Sequence, residues 1–306
     1  MRALARWRSA IFCSALFAAE VAQPTPVARS CVALPDSRCK ATAPDGKLVV
    51  KGGQWITACP PNPYSYGPET DHVCRQIAQC TTAGAFGPFI QAVSDSCTQK
   101  SFEGYYGLDG MTFGILDWTQ TNLGTVLQQF QRRNRERYTQ IFGPVGIPMK
   151  DGCVDPKWAC DANRNGYLNC DPTFRAAFKR GLAEPDFKKA QLDFAIKSFN
   201  QRIGKAKALG LESEYGNVAM AVLLNQFHCK ATDLLAACSS KGDEKSRVDC
   251  ILDQYIAHKC RVPQKDGSSE RRRVEAIREA FEHRPAVTLA PVSASAVEAC
   301  ITSWAQ

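Results

Sequence analysis

The sequence is short of the residues and patterns that mark several large function classes. Only four histidines occur, His72, His228, His258 and His283, and they are scattered without metal-ligand spacing. No G-x-S-x-G elbow and no glycine-rich phosphate loop is present, which sets aside serine-nucleophile and phosphate-cradle chemistry. Paired C-x-x-C knuckles are missing as well. The closest cysteine spacings are Cys74/Cys80 and Cys153/Cys160, which do not fit a zinc ribbon. After residue 22 no stretch is apolar enough to span a bilayer, so no stable membrane insertion is expected. Internal repeats and long low-complexity linkers are absent, and strand signals are few.

What the chain has in quantity is cysteine. Arg2, Arg6 and Arg8 precede an apolar run over residues 10–19 that is too short to cross a membrane, the pattern of a signal peptide cleaved between Ala19 and Ala22. Removal of residues 1–22 takes Cys13 from the 15 cysteines and leaves 14. These are Cys31, Cys39, Cys59, Cys74, Cys80, Cys97, Cys153, Cys160, Cys170, Cys229, Cys238, Cys250, Cys260 and Cys300. An even set of that size can pair completely, so a secreted or periplasmic, disulfide-stapled protein is expected. Spacing alone leaves the connectivity open.

Processing lowers the formal charge from +8 to about +6. No nucleic-acid-binding motif accompanies this basic balance, and an anionic polymer of the cell envelope is the more natural partner. Three parts are expected: the signal peptide at 1–22, a Cys-rich N-terminal extension at 23–80 and a helical domain at 81–306. The extension is rich in Pro, Gly and Thr, with a hairpin-like stretch over residues 47–56 centred on Gly52 and Gly53.

Helical spacing begins around residues 88–97, where Phe89, Ile90, Val93 and Cys97 recur. A second helix is expected over 122–138, ending in the basic run RRNRER. Over 186–209 an apolar stripe of Leu192, Ala195, Ile196, Phe199, Ile203 and Ala206 lies between Asp186 as N-cap and Gly210 as stop. Residues 213–227 are apolar nearly all round, as in a helix at the centre of a domain. Two more helices are expected near 246–259 and 269–283. The fold class is therefore mainly α, with a small β-hairpin and a disulfide-rich N-terminal extension.

Chemistry is concentrated in SFEGYYGLDGMTFGILDWTQTNLGTVL, residues 101–127, where Glu103 and Asp109 stand six positions apart around a Gly- and Tyr-rich turn. Glycoside hydrolysis needs one carboxyl group kept protonated for the leaving oxygen and a second kept ionised, and a tyrosine-walled loop can separate the two environments. Phe102, Glu103 and Gly104 resemble the helix-end F-E-G of the lysozyme-like superfamily of glycoside hydrolases. Asp109, Gly110, Thr112, Phe113, Gly114, Ile115 and Leu116 resemble its D-G-x-G-x-S/T-x-G-x-L-Q-W pattern. Met111 replaces a pair of residues, and Asp117 stands where glutamine is common.

Downstream, residues 190–226 resemble the long helix and following buried helix of bacterial lysozyme-like and chitosanase-like domains, without the aspartate usual near Leu224. The resemblance implies a lysozyme-like α-helical domain with Glu103 as general acid, Asp109 as the second carboxylate and Thr112 as a water-positioning hydroxyl. Tyr105, Tyr106, Asp117, Trp118 and Asn122 become substrate-binding candidates, with the aromatic ones also explained as packing residues. Peptidoglycan suits a basic enzyme better than cationic chitosan, although chitosan and chitin stay open. A non-catalytic cell-wall or protein-binding role on the same scaffold is the rival reading, and an inhibitor protein is not identified by any feature.

The stretch CDANRNGYLNCD places Asp161, Asn163 and Asn165 at alternate positions before Gly166, like the opening of an EF-hand loop. Pro172 occupies the twelfth position, and Asp171 is the nearest acidic ligand. The loop reads either as a structural calcium clamp or as an Asx-rich turn tied by Cys160 and Cys170. The hydrolytic reaction itself requires no cofactor.

Overall fold

The computed structural model describes residues 50–51, 54–55, 71–94, 97, 100–106, 112–118, 120–155, 172–225, 231–257, 268–282, 289–302 and 304. The signal-peptide segment, Asp109 and the calcium-like residues Asp161, Asn163, Asn165 and Asp171 lie outside them. So do Cys13, Cys31, Cys39, Cys59, Cys160, Cys170, Cys229 and Cys260.

The order along the chain is β1 (Val50–Lys51), β2 (Gln54–Trp55), α1 (His72–Gln79), α2 (Phe86–Val93), β3 (Tyr105–Tyr106), β4 (Thr112–Phe113), α3 (Gln120–Arg133) and α4 (Arg135–Phe142). It continues with β5 (Met149–Lys150), β6 (Cys153–Val154), α5 (Pro172–Ala183), α6 (Pro185–Ala208), α7 (Glu214–Asn225), α8 (Ala231–Ala237), α9 (Glu244–Ile256), α10 (Ser268–Glu282) and α11 (Ala294–Glu298). Helix makes up 71% of the described residues, which places the fold in the mainly-α class. The strands form three two-residue antiparallel ladders, β1 with β2, β3 with β4 and β5 with β6.

Two consecutive helices form the centre. The stripe expected on α6 is buried from Phe187 to Ala206, and it packs against α3 on one side and α7 on the other. Helix α7 buries Val218 through Leu223 continuously, and α2, α9 and α10 surround it. Beside α6, Phe130, Phe142, Phe178 and Phe187 meet in edge and tilted contacts with centroids 5.4–6.3 Å apart. That spacing suits the ring quadrupoles.

Local chemistry shifts several expected boundaries. The helix expected over 122–138 is two helices, because Asn134 leaves helical geometry at φ −150° and its side chain accepts from Arg137 N–H at 2.9 Å. Asp186 does not cap α6. Glu184 holds the N-cap position without a side-chain capping bond, its carboxylate accepting from Arg137 instead, and Pro185 begins the helix, where its missing N–H costs nothing. Asp186 instead accepts from Asn134 Nδ2 at 2.8 Å. Gly210 does stop the helix, at φ +81°. Helix α2 stops at Val93, where the Ser94 hydroxyl donates back to Ile90 O at 2.7 Å and accepts from Cys97 N–H at 3.0 Å. Glu103 therefore sits in a separate turn and not at the end of that helix.

Helix α1 falls within the segment assigned to the extension, yet it packs on α2 with Val73, Cys74 and Ile77 buried. Three disulfides join described residues: Cys74–Cys97, Cys80–Cys300 and Cys238–Cys250. Cys153 is also bridged. Residues 289–302 and 304 run back over the domain as an arm. Asn200 exchanges side-chain bonds with Val292 O and N–H at 2.9 and 3.3 Å, Thr82 donates to Ala296 O at 2.9 Å, and Gln76 bonds Thr302. Among the described residues no helix is long and apolar enough to cross a membrane.

Cys80–Cys300 closes a sequence separation of 220 residues, so it removes much freedom from the unfolded chain. Replacing both cysteines with serine is expected to lower unfolding stability by roughly 2–5 kcal/mol in non-reducing urea melts. An unchanged midpoint would show that the arm's hydrogen bonds suffice.

Candidate functional site

The turn that carries Glu103 is fixed through its buried neighbour. Phe102 has no exposed surface, so its N–H and C=O need partners inside the protein. Asp71 Oδ2 accepts the Phe102 N–H at 2.6 Å, while Gln191 Nε2 on α6 donates to Phe102 O at 2.8 Å. The next residues are held by Gly104 N–H to Ser101 O at 3.2 Å and by Gly114 N–H to Gly104 O at 2.8 Å. The chain then enters the β3–β4 hairpin, in which Tyr105 faces Phe113 and Tyr106 faces Thr112.

Glu103 itself keeps 27% of its side-chain surface and pairs with Lys188, one turn before Gln191 on α6. Lys188 is buried at 2% exposure, and its Nζ also donates to Trp304 O at 3.0 Å. A buried ammonium is tolerable only with such partners. Asp71 completes the cluster as the N-cap of α1, accepting Cys74 N–H at 2.8 Å. Burial pushes its carboxyl above the ordinary value of 3.8, against the opposing pull of its two N–H bonds and of Lys188, and nearby Glu103 adds to the rise. Asp71 is closed off from solvent and serves the backbone, whereas Glu103 is reachable.

The other residues singled out by sequence divide clearly. Trp118 is 3% exposed and lies 5.7 Å from Phe113 and 5.4 Å from Phe194, centroid to centroid. Its ring is core and offers no face for sugar stacking. Tyr105 is half-buried and meets Phe178 edge-on at 6.1 Å. Asp117 adopts φ +53° and pairs with Lys100. Asn122 lies half-buried in the first turn of α3. Thr112 and Tyr106 are placed as hairpin residues by their backbones, and Asp109 is outside the described residues. Among the described residues no cluster of three His, Cys, Asp or Glu side chains could hold a metal ion.

Sequence reasoning missed Asp71, Lys188 and Gln191. A signal existed for the last two, because Lys188 and Gln191 interrupt the apolar face that continues through Leu192, Ala195 and Phe199. Polar residues on a buried stripe require specific partners.

No family model, curated protein or solved structure matches this chain. Among the described residues of this cluster, Glu103 is an accessible carboxylate whose backbone and charge are both tied to the central helix.

Gly114 packs into the same cluster at φ +73°, and a Cβ there would meet Gln191 Oε1 and lie 2.8 Å from Trp118 Cε3. Gly114→Ala is expected to cost about 1–3 kcal/mol by urea unfolding, from the crowding and the left-handed backbone together. For Asp71, the native protein holds the proton more tightly than the unfolded chain. The associated stability is thus fully present below pH 3.8 and lost as pH rises through the higher native value. Urea melts between about pH 3 and 7 should show this downward slope flattened in Asp71→Asn.

Proposed function

We propose that the protein is a secreted or periplasmic glycoside hydrolase of lysozyme-like type, acting on an amino-sugar polysaccharide, with peptidoglycan as the favoured substrate. The observation that carries this reading is the placement of Glu103, partly exposed and held in position through the two hydrogen bonds of its buried neighbour Phe102. Catalytic carboxyl groups need a fixed position more than they need exposure, because reaction rate falls steeply with small misplacement.

The second carboxylate in this proposal is Asp109, which lies in sequence between β3 and β4. Glu103 as general acid and Asp109 as its partner require no cofactor. Thr112, the first residue of β4, carries the hydroxyl proposed to place water. If the two carboxyl groups stand more than about 6.5 Å apart, water enters between them and the product inverts. The basic balance, about +6 once residues 1–22 are removed, favours an anionic wall polymer over chitosan. Export through a signal peptide and completion of the remaining disulfides accompany this proposal, and the three bridges between described residues support an oxidising compartment. A structural calcium bound by Asp161, Asn163, Asn165 and Asp171 is a separate proposal.

A second reading draws on the same ion pair, since Lys188 neutralises Glu103 as it would in a binding protein without turnover. Release of reducing ends from purified cell wall and from chitosan separates the two. Wild-type protein should release them from wall, and Glu103→Gln should be slower by about 100-fold or more. Equal rates in the two proteins would reject the hydrolase, and binding without release would establish the second reading.

A further inference from the structure

Lys188 and Lys189 are neighbours with opposite fates. Lys189 points outward, 3.9 Å from Asp186, with its ammonium 5.5 Å from the centre of the Trp304 ring. Lys188 points inward, where the charged groups facing it are Glu103 and Asp71 and the remaining polar partner is the Trp304 carbonyl. The C-terminal arm thus grips α6 at successive places: Asn200 with Val292, then Trp304 over Lys189 and against Lys188. Cys80–Cys300 pins the arm four residues before that carbonyl.

We infer that Lys188 is a positioning residue for Glu103, and that the C-terminal arm belongs to the site because its Trp304 carbonyl aims the Lys188 ammonium at that carboxylate. Two acceptors, one from the arm and one from the turn, fix the direction of a side chain whose four-carbon stem would otherwise rotate. Glu103 is in turn confined to one orientation at rest, so its geometry depends on a segment some 200 residues away in sequence. The catalytic consequence rests on the hydrolase reading of Glu103. The pairing itself does not.

The test reads the Lys188 amine directly by nitrogen-detected NMR of the full-length protein, assigned by its loss in Lys188→Met. A resolved, slowly exchanging signal is expected in the wild type, shifted in Glu103→Gln. With Cys80→Ser and Cys300→Ser combined, exchange should accelerate about tenfold or more as the arm loosens. A wild-type signal that exchanges like a surface lysine, or that ignores Glu103→Gln, overturns the pairing. An unchanged rate in the double-serine protein overturns the role of the arm.

None of these measurements involves a polysaccharide, so they stand or fall apart from the hydrolase reading. Where wall cleavage is measured, Lys188→Met should lower kcat by about 100-fold with little change in KM. A rise in KM alone would make Lys188 a substrate-binding residue and overturn the positioning role.

Discussion

A fully buried peptide unit at Phe102 is the constraint on which the arrangement around Glu103 depends. Its donor and acceptor have no access to water, and leaving either unmet would cost about 1–3 kcal/mol. Asp71 answers one and Gln191 the other, so the start of α1 and the second turn of α6 are held to the same short turn. Once that peptide is fixed, Glu103 follows it to the edge of the core, where Lys188 reaches its carboxylate. Orientation of the accessible acid is thus a by-product of satisfying an inaccessible backbone.

Charge inside the domain obeys the same rule. Arg133 joins Asp193 of α6 to Glu298 of α11, and Glu244 of α9 accepts the N–H groups of Glu212 and Ser213 at the entrance to α7. Each link fastens a peripheral element to one of the two central helices. Disulfides do the corresponding work for the arm and for α8 against α9, where Cys238 and Cys250 are joined.

Much of the helical core was legible in the sequence. Periodic apolar residues announced α6, and the nearly unbroken run over 218–224 announced α7, because a helix buried on all sides has no polar face to show. Short helices were harder. Neither α1 nor α11 carries enough turns for its period to stand out, and both are ordered by bridges and contacts distant in sequence. Trp118 shows the opposite difficulty: a tryptophan beside an acidic, Gly-rich loop suits a sugar platform or a core equally well, and only its neighbours Phe113 and Phe194 decide for the core.

The sequence by itself determined the helical class and the central helices, and it raised the expectation of an oxidising compartment and the candidacy of Glu103, since all of these reside in local period, composition or motif. Only the tertiary structure decided what holds Glu103. Asp71, Lys188 and Trp304 are spread over more than 230 positions, and no local pattern links them. Their connection exists because a buried amide and a buried ammonium must each find partners wherever folding happens to bring them.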